Sequence, residues 1–152
     1  EETQAEEARN FLRTAFFNKF PITLTRIINT SKGKDRVIHD YGLKSQTEIK
    51  ADIIGPDEFV KDAQETEAYK ALLGTADIDK INKVYEWIAG KPAYLWRFNE
   101  KPEEDMETVA WFWAVASLAG LVCDGDPADS YSALGVLFCA EGTQKNLRRR
   151  SK

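Results

Sequence analysis

TVAWFWAVASLAGLVC, residues 108–123, is the stretch whose reading decides the fold of this chain. From Val109 to Cys123 there is no charged residue, and Ser117 carries the only hydroxyl. Trp111 and Trp113 are two apart, so on a helix they point to nearly opposite sides. A helix apolar on all sides is buried on all sides. The reading is a central core helix from about Thr108 to Cys123. Pro102 opens the helical segment, with Glu103, Glu104 and Asp105 in a first turn that suits the helix dipole. The uncharged run falls short of the roughly 20 residues that cross a bilayer, and acidic residues flank it. Burial inside the protein is expected, with no membrane span.

After Cys123 the loop Asp124-Gly-Asp-Pro-Ala-Asp129 turns the chain, and Ser130 can cap a last helix running to about Ala140. The two segments would make an apolar C-terminal helical hairpin. In such a hairpin the residue beside Cys139 lies near position 114, more than ~10 Å from Cys123 at the helical rise. A disulfide needs Cα atoms within about 7 Å. Both cysteines are therefore expected to be buried thiols, a weak lean toward a reducing intracellular compartment.

Before that stretch, residues 90–101 read as a connector rich in aromatics. A helix from about Ala76 carries Ile78, Ile81, Val84, Tyr85 and Ile88 on one face and stops at Gly90. Another begins at Pro56 and ends at Gly74. Further back the period changes to two. Thr47, Ile49, Ala51 and Ile53 alternate with Glu48, Lys50 and Asp52, a strand with one buried and one wet face. Residues 22–28 and 36–41 are also strand-like, and short connections favour an antiparallel meander. Residues 3–19 predict a helix with an apolar stripe that includes Ala8, Phe11, Leu12 and Ala15, closed by Pro21.

Assembled, the expectation is an α+β fold: an N-terminal helix, a small three-stranded antiparallel sheet, then a cluster of about four helices including the C-terminal hairpin. Residues 1–144 form one globular domain and residues 145–152 a basic tail. With 152 residues, 43% of them hydrophobic and 30% charged, the chain has the composition of a folded domain. No stretch reads as a signal or transit peptide.

A formal net charge of −4 argues against a broad nucleic-acid face. Only the C-terminal tail, with Lys145, Arg148, Arg149, Arg150 and Lys152, offers a phosphate or nucleic-acid contact. His39 is the sole histidine, so a histidine-based triad has one candidate and a metal site would need other donors. Alternation puts His39 beside Val37 and Tyr41, where a structural role is the plainer reading. Asp124, Asp126 and Asp129 share a loop but lack the calcium-loop pattern, since the twelfth position is Gly135. Gly33-Lys34 is followed by Asp35 and lacks the phosphate-loop spacing. No cofactor or metal site is expected, and no catalytic residue is assigned.

The remaining anomaly is aromatic. Phe17, Trp87, Trp96 and Phe98 fall outside the predicted stripes. Aromatic side chains dominate interface hot spots, so these four are candidate partner-binding residues. The leading expectation is a non-catalytic protein–protein interaction module (an assembly subunit, adaptor or inhibitor-type protein) that meets another protein or itself. Two alternatives stand beside it: phosphate or nucleic-acid contact through the tail, and a small enzyme whose first candidates are His39 and the aspartate loop.

Overall fold

A computed structural model describes residues 2–17, 19, 21–60 and 66–128. Among these residues it contains three helices: α1 (Glu2–Phe16), α2 (Thr66–Leu73) and α3 (Ile78–Ala89). The strands are β1 (Ile22–Asn29), β2 (Asp35–His39), β3 (Thr47–Ala51), β4 (Glu58–Phe59), β5 (Ala93–Trp96), β6 (Met106–Ala114) and β7 (Ala119–Gly125). They join into one mixed sheet in the order β3-β2-β1-β6-β7-β5-β4. Every neighbouring pair is antiparallel except β5 and β7. The fold is α+β, but mostly sheet: a curled half-barrel with helices on its concave side.

The decisive stretch is therefore not a helix. Residues 108–123 are most of two strands, β6 and β7, paired as a hairpin through Ala114↔Ala119 and Phe112↔Leu121. The expected central helix, the helical hairpin and the cluster of four helices fall together, and the three-stranded sheet becomes the edge of one with seven strands. The run is uncharged because both faces of these central strands are apolar. Ala110, Leu121 and Cys123 belong to the core under the helices, while half-buried Trp113 packs on the opposite face against Trp96. A strand apolar on both faces shows no alternation in its sequence, and periodicity cannot separate it from a buried helix.

Three smaller expectations change as well. Pro102 opens no helix, because the Asp105 carboxylate accepts hydrogen bonds from the Ser31 N–H and hydroxyl instead of facing a helix N-terminus. The segment after Pro56 contributes β4 before α2 begins, with Glu58 paired to Leu95 and Phe59 to Tyr94. Residues 90–101 contain β5, which the connector reading missed.

The N-terminal half follows its sequence pattern in part: the strands form, but on the edge strand β3 Thr47 and Ile49 are exposed and only Ala51 is buried. β1, β2 and β3 form the expected antiparallel meander. α3 begins at Asp77, whose carboxylate accepts from the Lys80 N–H at 3.0 Å, and closes at Gly90 with φ 70°. An L side chain is strained at that φ, so glycine is the residue that ends this helix. α1 forms but stops at Phe16, and its predicted stripe is only half seated: Leu12 and Ala15 are half-buried, while Phe11 stays 64% exposed. The expected last helix, Cys139, Asp129 and the basic residues Lys145, Arg148, Arg149, Arg150 and Lys152 lie outside the described residues.

Two register irregularities shape the curl. β1 shifts register against β6 between Ile22 and Arg26, and β6 shifts against β7 between Val109 and Trp111. Bulges bend a strand and increase its twist, so two of them on the central strands turn a sheet into a trough. At the first, the Thr23 hydroxyl replaces a missing ladder bond by donating to the Ala110 carbonyl at 2.7 Å. The Thr25 N–H in turn donates to Thr23 Oγ1.

The core lies inside the trough. Ile27, Val37, Tyr69, Leu95 and Leu121 are buried together, with α2 and α3 above them. Two polar side chains taken into this layer are paired. Asn29 donates to Thr108 Oγ1, and the Thr108 hydroxyl donates to the Cys123 carbonyl, tying β1, β6 and β7 together. No helix among the described residues is long and apolar enough to cross a membrane.

Candidate functional site

The trough is not filled by its helices. Between the concave face of the sheet and α3 lies a cavity of about 680 Å³. Functional ligand pockets fall in the range of about 300–1,000 Å³, mostly apolar with a few placed polar groups. The walls here match that description. Ala110, Phe112, Leu121, Leu72, Ile81 and Ile88 supply apolar surface. Thr23, Thr25 and His39 line the sheet side, Tyr85 projects from α3, and Val84 and Lys80 stand on the exposed side of that helix.

The sheet geometry explains why these polar residues meet. Arg26 pairs with Ile38 and Ile27 with Val37, so Thr25 and His39 fall on the same face as Ile27 and Val37. His39 Nε2 lies 2.7 Å from the Ala71 carbonyl, which can only accept, so this nitrogen carries the proton. In the neutral imidazole His39 Nδ1, 3.0 Å from Thr25 Oγ1, accepts from the Thr25 hydroxyl. The relay fixes both the tautomer and the hydroxyl rotor. It also joins β2 to the end of α2. The expected grouping of His39 with Tyr41 does not form. Asp40 takes φ 52° and breaks the alternation, and the Tyr41 ring lies against the Arg26 guanidinium at 5.3 Å.

Tyr85 is the odd member of the wall. Its ring packs 6.5 Å from Phe112, yet its hydroxyl is buried with no hydrogen-bond partner among the described residues. Burial, helped by the nearby Cys123 thiol, pushes the phenol well above its ordinary pKa. Burial likewise pushes the Cys123 thiol up. Both groups are therefore protonated and neutral at physiological pH. No group of three or more His, Cys, Asp or Glu side chains among the described residues is arranged to hold a metal ion.

The four aromatics singled out by sequence have separate placements. Phe17 is half-buried, bridged to Ala114 and packed against Ala89 and Ala119, with Arg13 over its ring at 5.6 Å. Trp96 sits in a row of rings on the outer face of the sheet, 4.6 Å from Tyr94 and 4.7 Å from Trp113. Phe98 is half-buried, and its carbonyl accepts from the Gly55 N–H. Trp87 is 39% exposed on α3. The cavity escaped sequence reading because its polar residues come from β1, β2 and α3. The available signal was Thr23 and Thr25, polar residues placed on the inward face of a strand whose next inward residue is Ile27. No protein-family model matches the chain, and comparison with curated proteins and with solved structures gives no significant match.

Proposed function

We propose that this protein binds a small, largely apolar molecule in the trough between the sheet and α3. One observation carries the reading: a cavity of about 680 Å³ has apolar walls and a pair of ordered polar groups at Thr25 and His39. Apolar walls gain from displacing water, and a few fixed polar groups orient what enters. The test is titration with N-phenyl-1-naphthylamine, a neutral apolar fluorophore. Wild type enhances its fluorescence saturably. Ala110→Phe, which fills the cavity, and Ile88→Arg, which places a charge in its half-buried wall, each reduce the enhancement by tenfold or more while the circular dichroism spectrum is retained. Absence of saturable binding, or binding unchanged in both variants, overturns the reading.

Protein contact is a second reading, supported by Trp87 and Val84. They are 39% and 46% exposed and one helical turn apart on α3. Asp77, Asp79, Lys80 and Lys83 surround them. A rim carrying both signs of charge suits an isologous contact with a second copy, because each patch then complements itself. Sedimentation equilibrium tests this directly. A dimer weakened by Trp87→Ala supports it, and a concentration-independent monomer excludes it.

A further inference from the structure

We infer that β3 is a self-association strand: two copies of this chain pair antiparallel through their β3 edges, about a two-fold axis at Ile49. The inference is independent of the cavity, and its surface is separate from the Trp87 patch. β3 is the last strand on one side of the sheet, and among the described residues no strand pairs with its outer edge. Thr47, Glu48, Ile49 and Lys50 are all exposed. Such an edge presents unpaired N–H and C=O groups, a template for another strand.

The sequence of the strand selects a second copy as the occupant. Residues directly opposite one another across an antiparallel pair share a face. Ile49 is opposite Val37 and so lies on the concave face, while Lys50 is opposite Arg36 on the convex one, with Glu48 beside it. Pairing centred on Ile49 sets Glu48 against Lys50 of the second copy, twice by symmetry, and Ile49 against itself. A slide of two residues, the smallest that keeps the faces together, sets Glu48 against Glu48 or Lys50 against Lys50. Opposite charges therefore meet in one register. An isologous pair also uses up this edge in both copies.

Two features of the single chain are completed by that partner. Lys50 stands directly opposite a like charge, Arg36, and makes no ion pair among the described residues. Arg36 itself is held by both oxygens of Glu48 at 2.8 Å. Glu48 of the second copy brings Lys50 the carboxylate that its own sheet does not supply. On the concave face, Thr108, Ile27, Val37 and Ile49 form one row across β6, β1, β2 and β3. The first three are buried, and Ile49 ends the row 38% exposed. Ile49 of the second copy continues the row and covers its open end.

Sedimentation equilibrium of the full chain tests the pairing. One short edge makes a small interface, so wild type is expected to dimerise with a dissociation constant on the order of 10–100 μM. Lys50→Glu and Glu48→Lys each set like charges face to face across the axis. Each variant alone is expected to raise the dissociation constant tenfold or more. Both change exposed residues, and thermal melts check that the fold is kept. Mixed in equal amounts, the all-lysine edge of Glu48→Lys meets the all-glutamate edge of Lys50→Glu. The mixture is expected to dimerise at least as tightly as wild type. Ile49→Lys, which places two ammonium groups at the axis, gives the same weakening and serves if Glu48→Lys does not fold. Trp87→Ala leaves the dissociation constant within twofold of wild type.

A monomer at every concentration overturns the inference. So does a dimer that Lys50→Glu leaves intact, or a mixture of the two folded charge variants that stays monomeric. A dimer lost in Trp87→Ala but kept in Lys50→Glu overturns it as well and assigns the contact to α3. Naphthylamine binding is expected to be the same in Lys50→Glu as in wild type, so the ligand reading stands or falls separately.

Discussion

The rings of Trp96 on β5 and Trp113 on β6 pack with centroids 4.7 Å apart, tilted by 50°, although their strands are not neighbours, because Gly120 of β7 lies between them. Gly120 pairs with Trp113 on one side and Tyr94 on the other. A Cβ there would collide with the Tyr94 carbonyl and come within 3.0 Å of the Trp96 ring. The missing side chain is what lets aromatic rings from flanking strands close over a central one. Gly120→Ala is therefore expected to destabilise the protein by about 3 kcal/mol, the upper end of ordinary overpacking, because the obstructing atom is backbone and cannot rotate away. Urea denaturation followed by tryptophan fluorescence measures it. A loss under 1 kcal/mol would mean that the strands separate easily at this point.

Arg97 should be highly sensitive to substitution. It is 3% exposed. Its guanidinium donates to the Ile53 and Pro56 carbonyls at 3.2 Å and to Glu58 at 3.0 Å. One planar fork thus joins the segment after β3 and the start of β4 to the end of β5. Arg97→Met removes donors from buried acceptors and leaves Glu58 without its cation. The expected cost is about 3–5 kcal/mol. Arg97→Lys should recover only part of it, since one ammonium cannot reproduce the fork. Full recovery by lysine in a thermal melt would show that charge, rather than geometry, is what matters there.

The contrast between the two halves of the chain has a physical cause. The meander was legible because Glu48 and Lys50 alternate with Thr47, Ile49 and Ala51, although as an edge strand β3 buries only Ala51 and leaves Thr47 and Ile49 exposed. α3 was legible because an apolar stripe lies between an aspartate and a glycine. β6 and β7 offered neither cue. Aromatic and aliphatic side chains occupy both faces, so no polar residue marks a period, and their turn is Val115-Ala116-Ser117-Leu118, without Gly, Pro, Asn or Asp. An unpunctuated run containing four alanines has the length and propensity of a helix. The counter-signal was Trp111-Phe112-Trp113 and Gly120, aromatics suited to a pleated surface and a glycine that weakens a helix. The cavity was less legible still, since β1, β2, α2, α3 and β6 bring its residues together only after the sheet has curled.

Asp124 gives a pH-dependent prediction of opposite sign to that of an ordinary paired carboxylate. Partial burial raises its pKa, and the nearby Asp57 adds to the effect. A raised folded-state value means that the protonated form is favoured by folding. Its stabilising contribution is present below the unfolded-state pKa and is lost as pH rises through the folded one. At neutral pH the wild type thus carries a cost that Asp124→Asn removes. The variant should melt at a higher temperature than wild type at pH 7, and the difference should shrink toward zero by about pH 3. A difference that grows on acidification would contradict the assignment.

Asp35 and Lys101 should respond unequally to substitution. Asp35 is fully buried. Its Oδ1 accepts from the Thr30 N–H at 2.9 Å and from Lys101 Nζ at 2.7 Å, and its Oδ2 accepts from the Ile53 N–H at 3.3 Å. Lys101 also donates to the Gly33 carbonyl, so one lysine ties the β1–β2 turn to the loop before β6. Asp35→Ala leaves buried backbone donors without an acceptor and is expected to cost about 3–5 kcal/mol. Lys101→Met leaves Asp35 with its backbone donors and keeps the alkyl stem, so its cost should be about 1–2 kcal/mol. In the double variant most of the lysine's contribution disappears, because the carboxylate it neutralises is gone, and a double-mutant cycle should return a coupling of about 1 kcal/mol or more. Additive losses would mean that the carboxylate is held by the backbone alone, with the lysine acting only on the turn carbonyl.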